Sequence, residues 1–132
     1  MTEQREREVA AAAAAIVTAF GSHDVAAYFA GFAPDASFVF YTTPERLESR
    51  ESYEQLWREW ELSAGFRVIT CVSTQGRVQV YGDVGIFMHD VETTLEMDGV
   101  ETTVLERETI VFHHRAGAWL AVHEHLSPLA LT

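Results

Sequence analysis

One cysteine, three prolines and eight glycines in 132 residues are few of each, and each scarcity excludes something. Cys71 can form no internal disulfide and cannot by itself make a thiolate zinc site. So little glycine and proline, with Val, Ile, Leu, Phe and Trp recurring throughout, argues against disorder. Basic residues are scarce as well, nine against twenty acidic ones, which leaves a formal net charge of -11. A surface that acidic repels phosphate backbones and anionic headgroups, so neither nucleic acid nor a membrane surface is expected as a partner. No apolar run approaches the roughly 18 residues needed to span a bilayer. The alanine run at 10–15 is too short and too weakly hydrophobic. Residues 2–8 are densely charged where a secretory signal needs an apolar stretch. The expectation is a cytoplasmic globular protein.

What is present is enough for one core. With 48% hydrophobic residues, a chain of this length buries roughly two thirds of its unfolded surface. No linker, repeat or low-complexity tail divides it, so residues 1–132 read as a single domain. Residues 3–20 are rich in helix formers, and Val9, Ala13, Ile16, Val17 and Phe20 fall on one helical face. Gly21 is a candidate stop, suited to positive φ. Asp24 reads as the N-cap of a short second helix that buries Val25, Tyr28, Phe29 and Phe32. Ala33-Pro34-Asp35 reads as a turn and 37–41 as a strand. Ser52 with Gln55 fits a capping box for a third helix. On that helix Tyr53, Leu56, Trp57 and Trp60 form one stripe, and Gly65 ends it.

From Phe66 the period changes to 2. Residues 66–74, 77–81 and 84–97 alternate, Asp98-Gly99 is a hairpin signal of type I′, 101–114 returns, and 119–127 closes the series after Ala116-Gly117. The order helix, helix, strand, helix and then long antiparallel strands is an α+β pattern, with helices on one face of a curved meander.

The tail Glu108-Thr109-Ile110-Val111-Phe112-His113, Gly117-Ala118-Trp119 and Val122-His123-Glu124-His125-Leu126-Ser127 resembles the end of SnoaL-like and kinase-association (hub) domains. Gly21-Ser22-His23-Asp24, Pro34-Asp35-Ala36 and Tyr81-Gly82-Asp83 extend the resemblance over nearly the whole chain. It implies the cone-shaped α+β fold of the nuclear transport factor 2-like (cystatin-like) superfamily, with three N-terminal helices on a curved, mostly antiparallel sheet. It also implies a deep apolar pocket and pairing of protomers through the other sheet face. The superfamily includes isomerases, cyclases, dehydratases and non-catalytic hubs, so the resemblance fixes the fold more sharply than the activity. In such a pocket desolvation raises a carboxyl pKa and suits it to acid–base work, the logic of the ketosteroid isomerases, which share this architecture. Hub domains line this cavity with arginines. The corresponding positions here are Val91, Ile110 and Leu126, which favours a small apolar ligand over a small carboxylate.

Strand alternation assigns the faces. Ile110, Phe112, Val122 and Leu126, with Leu120, form the more apolar set and are placed inside; on the long strand the resemblance implies that Phe87, His89, Val91, Thr93 and Leu95 face inward as well. Glu108, Glu124 and His89 share that inner parity and are the candidate catalytic groups, with Glu124 as general base. Tyr41 is placed at the rim, and Tyr53, Trp57 and Trp60 line or lid the pocket. Arg107, Thr109, Trp119, His123 and His125 fall on the opposite face, the expected dimer face. A plain two-residue turn at Ala116-Gly117 would pair opposite parities, so this assignment needs a bulge, for which Gly117 is the candidate. A slip of one residue would turn His123 and His125 inward instead. These two histidines share a face within reach of one ion, but spacing fixes no third ligand, so no metal is expected. No cofactor is expected, no serine has a G-x-S-x-G setting, and Cys71 reads as a buried filler. Two functions remain: a small-molecule pocket with cofactor-free acid–base chemistry, or a non-catalytic homo-oligomerisation module.

Overall fold

Helix α1 (Thr2–Gly21) sets Val9, Ala13, Ile16 and Ala19 on one buried face. The Asp24 side chain accepts from the Ala27 N–H and starts α2 (Val25–Ala30). β1 (Phe32–Phe40) follows, then α3 (Arg50–Ala64), β2 (Arg67–Tyr81), β3 (Val84–Met97), β4 (Val100–Arg115) and β5 (Ala118–Pro128). This computed structural model describes residues 2–130. The strands make one open, curved sheet in the order β1-β5-β4-β3-β2. All neighbours are antiparallel except β1 and β5, which run parallel. The three helices cover one face.

Aromatic rings fill the layer between. Trp57 is 1% exposed and meets Phe20, Phe29 and Phe66 edge-on, with centroids 5.8, 5.6 and 5.0 Å away. Tyr53 packs on Phe38 and Phe40. This cluster joins α3 to α2 and the first strand, and its burial is the main force that closes the helical layer on the sheet.

Several local expectations are corrected. Gly21 stays in the helix, and the left-handed residue after it is His23, φ 56°. Gly21 is small for another reason: a Cβ there would lie 3.2 Å from both Cβ and N of Cys71. Ala33-Pro34-Asp35 lies inside β1, in an irregular stretch between Phe32 and Ser37; Pro34 is tolerated because β1 is an edge strand. The cap of α3 is Ser49, which accepts from the Ser52 N–H at 3.1 Å, so Ser52 is not the capping residue. Gly65 ends that helix at φ 64° as expected. The segments 66–74 and 77–81 are one strand, broken in register between Thr74 and Arg77.

The last hairpin settles the parity question. Ala116 and Gly117 both have positive φ and form a plain two-residue turn, pairing Arg115 with Ala118. The bulge is five residues further on. Phe112 pairs with Ala121 but Val111 pairs with His123, so Val122 is the extra residue. Before it, Trp119 and Ala121 face the helices; after it, Glu124 does. Val122 and Leu120 are therefore not part of the inner face, and Trp119 leaves the expected dimer face. The Trp119 Nε1–H donates to Glu8 on α1 at 3.0 Å, and the Arg5 guanidinium lies over its ring.

Close approach of α1 to the sheet requires Gly85 on β3, where a Cβ would sit 2.7 Å from a methyl of the buried Val9. Gly85→Ala should lower stability by about 1–3 kcal/mol through overpacking. In a Val9→Ala background the same change should cost much less, a coupling that a denaturation double-mutant cycle measures.

Candidate functional site

Between the helices and the inner sheet face lies a cavity of about 340 Å³. Ile16, Val17 and Phe20 of α1 and Tyr53 and Trp60 of α3 form its helical wall. β3 contributes His89, Val91, Thr93 and Leu95, and the two following strands contribute Glu106, Glu108, Glu124 and Leu126. Tyr41, 47% exposed, and the exposed Thr42 stand at the mouth.

Of the residues singled out from sequence, Glu124, His89, Glu108, Tyr41, Tyr53, Trp60, Val91 and Leu126 meet at this cavity. Trp57, Phe87, Ile110 and Phe112 are buried in the core and do not line it. Val122 does not line it either, because the bulge turns it away. On the outer face, Arg107 and His125 are exposed, and Thr109 and His123 are half-buried. Trp119 is separated from these four. His123 Nδ1 lies 2.8 Å from the Ser37 hydroxyl, and its pKa is lowered by burial and by His125. No group of three or more metal-ligating side chains converges among the described residues.

Sequence reasoning passed over Glu106, Cys71 and the hydroxyl of Tyr28. Glu106 shares parity with Glu108 and Ile110 on a strand that was correctly paired, so the signal was there. It is 8% exposed and accepts a 2.6 Å bond from the Tyr41 hydroxyl. Burial raises the Glu106 pKa. Burial, and then the bond to Glu106, raise Tyr41 to about 12. Cys71 is no inert filler in position, since it lines the cavity, but burial lifts its thiol to about 11 and keeps it protonated.

Glu124 is 3% exposed on the cavity floor. Burial pushes its pKa well above the usual carboxylate range, and the charge of Glu108 and a hydrogen bond with it push it further. The pair is thus built to hold one proton between two carboxyl groups. On one side of the pair, the Tyr28 hydroxyl donates to Glu124 at 3.5 Å and meets the Tyr53 hydroxyl at 3.0 Å. Both phenols are raised well above their usual value, burial being the largest cause. On the other side, Glu108 lies 2.7 Å from Nε2 of His89, which is 2% exposed. The other ring nitrogen, Nδ1, is 2.6 Å from the Ser73 hydroxyl on the exposed side of β2. The β2 irregularity makes this reach possible: Gln75 and Gly76 together stand opposite His89, so the strand is bent there. Because a hydroxyl both donates and accepts, both ring nitrogens stay bonded whether His89 is neutral or charged. The result is a continuous chain of proton-bearing groups from the solvent-exposed Ser73 on β2 to two buried phenols.

Three helices on a curved, open sheet thus enclose a hollow lined by acids. The chain matches the SnoaL-like domain family over residues 9–131 and belongs to that family. No curated protein matches it in sequence. Among solved structures it is similar to a ketosteroid isomerase-like protein of Erwinia carotovora, with TM-score 0.78, 21% identity and 96% of this chain and 97% of that one covered. It is similar as well to a nuclear transport factor 2-like protein of unknown function from Pseudomonas putida, with TM-score 0.78, 18% identity and 99% and 92% coverage. A third is the calmodulin-dependent kinase II hub homology domain of Chlamydomonas reinhardtii, with TM-score 0.73, 18% identity and 96% and 98% coverage. At these identities the likeness is one of fold.

The state of Glu124 predicts a pH dependence of stability. In the unfolded chain a glutamate ionises near 4.3, whereas the folded chain keeps the proton to higher pH. Stability should therefore fall as pH rises between those two values, by up to about 1.4 kcal/mol per pH unit, and level off above the folded value. Glu124→Gln removes this slope. Urea midpoints from pH 4 to 8 should show the variant gaining on the wild type as pH rises.

Proposed function

We propose that the cavity binds a small, largely apolar molecule and that its acid pair moves a proton on it. The observation that carries this reading is Glu124, buried on the floor of a hollow walled by aromatic rings and hydrogen-bonded to a second carboxyl group. Such a base, once ionised, is stronger than a solvated carboxylate and meets little competition from water. A carbon acid beside a carbonyl is the matching substrate. Glu124 takes the proton, and the enolate oxygen receives hydrogen bonds from the Tyr28 and Tyr53 hydroxyls. Return of the proton to another carbon gives isomerisation, and loss of a β-hydroxyl as water gives dehydration. The likeness to a ketosteroid isomerase-like protein is consistent with the first. The chemistry needs side chains alone.

A generic ketone tests this. Deuterium should enter the α-carbon of 2-tetralone in D2O faster with the protein than without it, followed by proton NMR. Glu124→Gln should lower the catalysed rate by at least about 10²-fold, the usual contribution of a positioned base, whereas His125→Ala on the outer face should not. Equal rates with and without the protein would end the catalytic reading.

A second reading concerns the bare sheet face. No helix covers it, and it presents Leu105 and Val72 exposed alongside half-buried Ile86, Met88 and Val111. We propose that two copies pair through it, as the likeness to a hub homology domain suggests. Sedimentation should give a dimer at micromolar concentration, and Val111→Glu, a charge in the middle of that face, should give a folded monomer.

A further inference from the structure

The chemical class of the ligand is written in what the cavity does not contain. The chain has no lysine, and none of its arginines lines the cavity, whereas Glu106, Glu108 and Glu124 all do. His89 is the one lining side chain able to carry a positive charge, and it is already bound to Glu108 at 2.7 Å. Glu106 is engaged by Tyr41. Glu124, more than nine-tenths buried and facing the hollow, has beyond its carboxyl partner only the long 3.5 Å bond from Tyr28. A neutral ligand needs one acid to donate to it or accept from it. It gives no account of three carboxyl groups brought together against their mutual repulsion.

Resting on the reading of the cavity as a ligand site, we propose that its ligand is a lipophilic amine. The ammonium end goes in first, toward Glu124, and the apolar body lies along Trp60 and Leu126. An ammonium has three donors and no acceptor, the complement of an acceptor-rich floor. The rings of Tyr28 and Tyr53 beside that floor add attraction between a cation and an aromatic face. The net charge of -11 draws cations toward the molecule. Arrival of a positive charge also favours the ionised form of the acid pair, so binding expels the proton the pair holds and leaves Glu124 as a carboxylate.

Three probes of like size distinguish the alternatives: 2-phenylethylamine, 2-phenylethanol and phenylacetate, each titrated calorimetrically at pH 7 in phosphate and in Tris. The amine should bind at least about tenfold more tightly than the alcohol, a difference of about 1.4 kcal/mol, and phenylacetate should not bind. The apparent enthalpy of amine binding should differ between the two buffers, reporting proton release, and that of the alcohol should not. Glu124→Gln should bring the amine down to the level of the alcohol, with an unchanged circular dichroism spectrum showing that the variant is folded; Glu108→Gln serves if it is not. Binding of the alcohol equal to or tighter than that of the amine, or any binding of phenylacetate, overturns the amine proposal and leaves the apolar pocket standing. If none of the three binds, both readings fall.

Discussion

Taking a carboxyl group out of water is unfavourable unless it keeps its proton or finds a partner, and the interior of this protein is organised around that constraint. Glu124 is held on the inner face by the strand that also carries Trp119 and Ala121 inward, an arrangement that simple alternation forbids. One extra residue at Val122 reconciles the two. Without it, either the indole that clamps α1 or the acid on the cavity floor would face outward. The neighbouring carboxyl, the imidazole behind it and the two phenols in front then supply the hydrogen bonds that make such burial sustainable.

The same bulge marks where the sequence stops being readable. The succession of long antiparallel strands, the Asp98-Gly99 turn and the inward Glu108 and Glu124 follow from period and turn chemistry, and the family resemblance supplies the inward set on β3; the place of β1, parallel beside β5, follows from neither period nor turn chemistry. The need for a bulge follows too, since the two apolar sets of the last hairpin cannot otherwise share a face. Its position does not. Gly117 has the conformational freedom a bulge needs, but it spends it on the turn, and Val122 is a β-branched residue with no local mark of irregularity. Trp119, Leu120 and Val122 were misplaced for that one reason. Trp57, Phe87, Ile110 and Phe112 illustrate a different limit. Periodicity tells inside from outside, but whether an inward residue touches a void or another ring depends on how three helices pack, which no single segment encodes. Glu106 is legible by parity, since it alternates with Glu108 and Ile110 on β4, whereas the meeting of the Tyr28 hydroxyl with Glu124 depends on how α2 packs on the sheet.

The two faces of the sheet differ in chemistry. On its inner side, small and apolar residues alternate with acids around a void. On its outer side, aliphatic residues lie among histidines and charged groups. Since every strand presents both faces at once, a change in one strand's register alters the cavity and the bare face together.

The two borders of the sheet close off another fate. A strand with free amide and carbonyl groups along its side invites further strands and open-ended polymerisation. On one border, the chain around Leu47 doubles back and bonds to Phe38 in both directions, at 2.8 and 2.9 Å, and Pro34 lacks a donor altogether. On the other, the bend at Gln75 and Gly76 and the charge of Arg77 break the straight run that a templated neighbour would require. Sideways growth of the ribbon is thereby opposed at both borders, which leaves the sheet faces, and not its edges, as the surfaces open to other molecules.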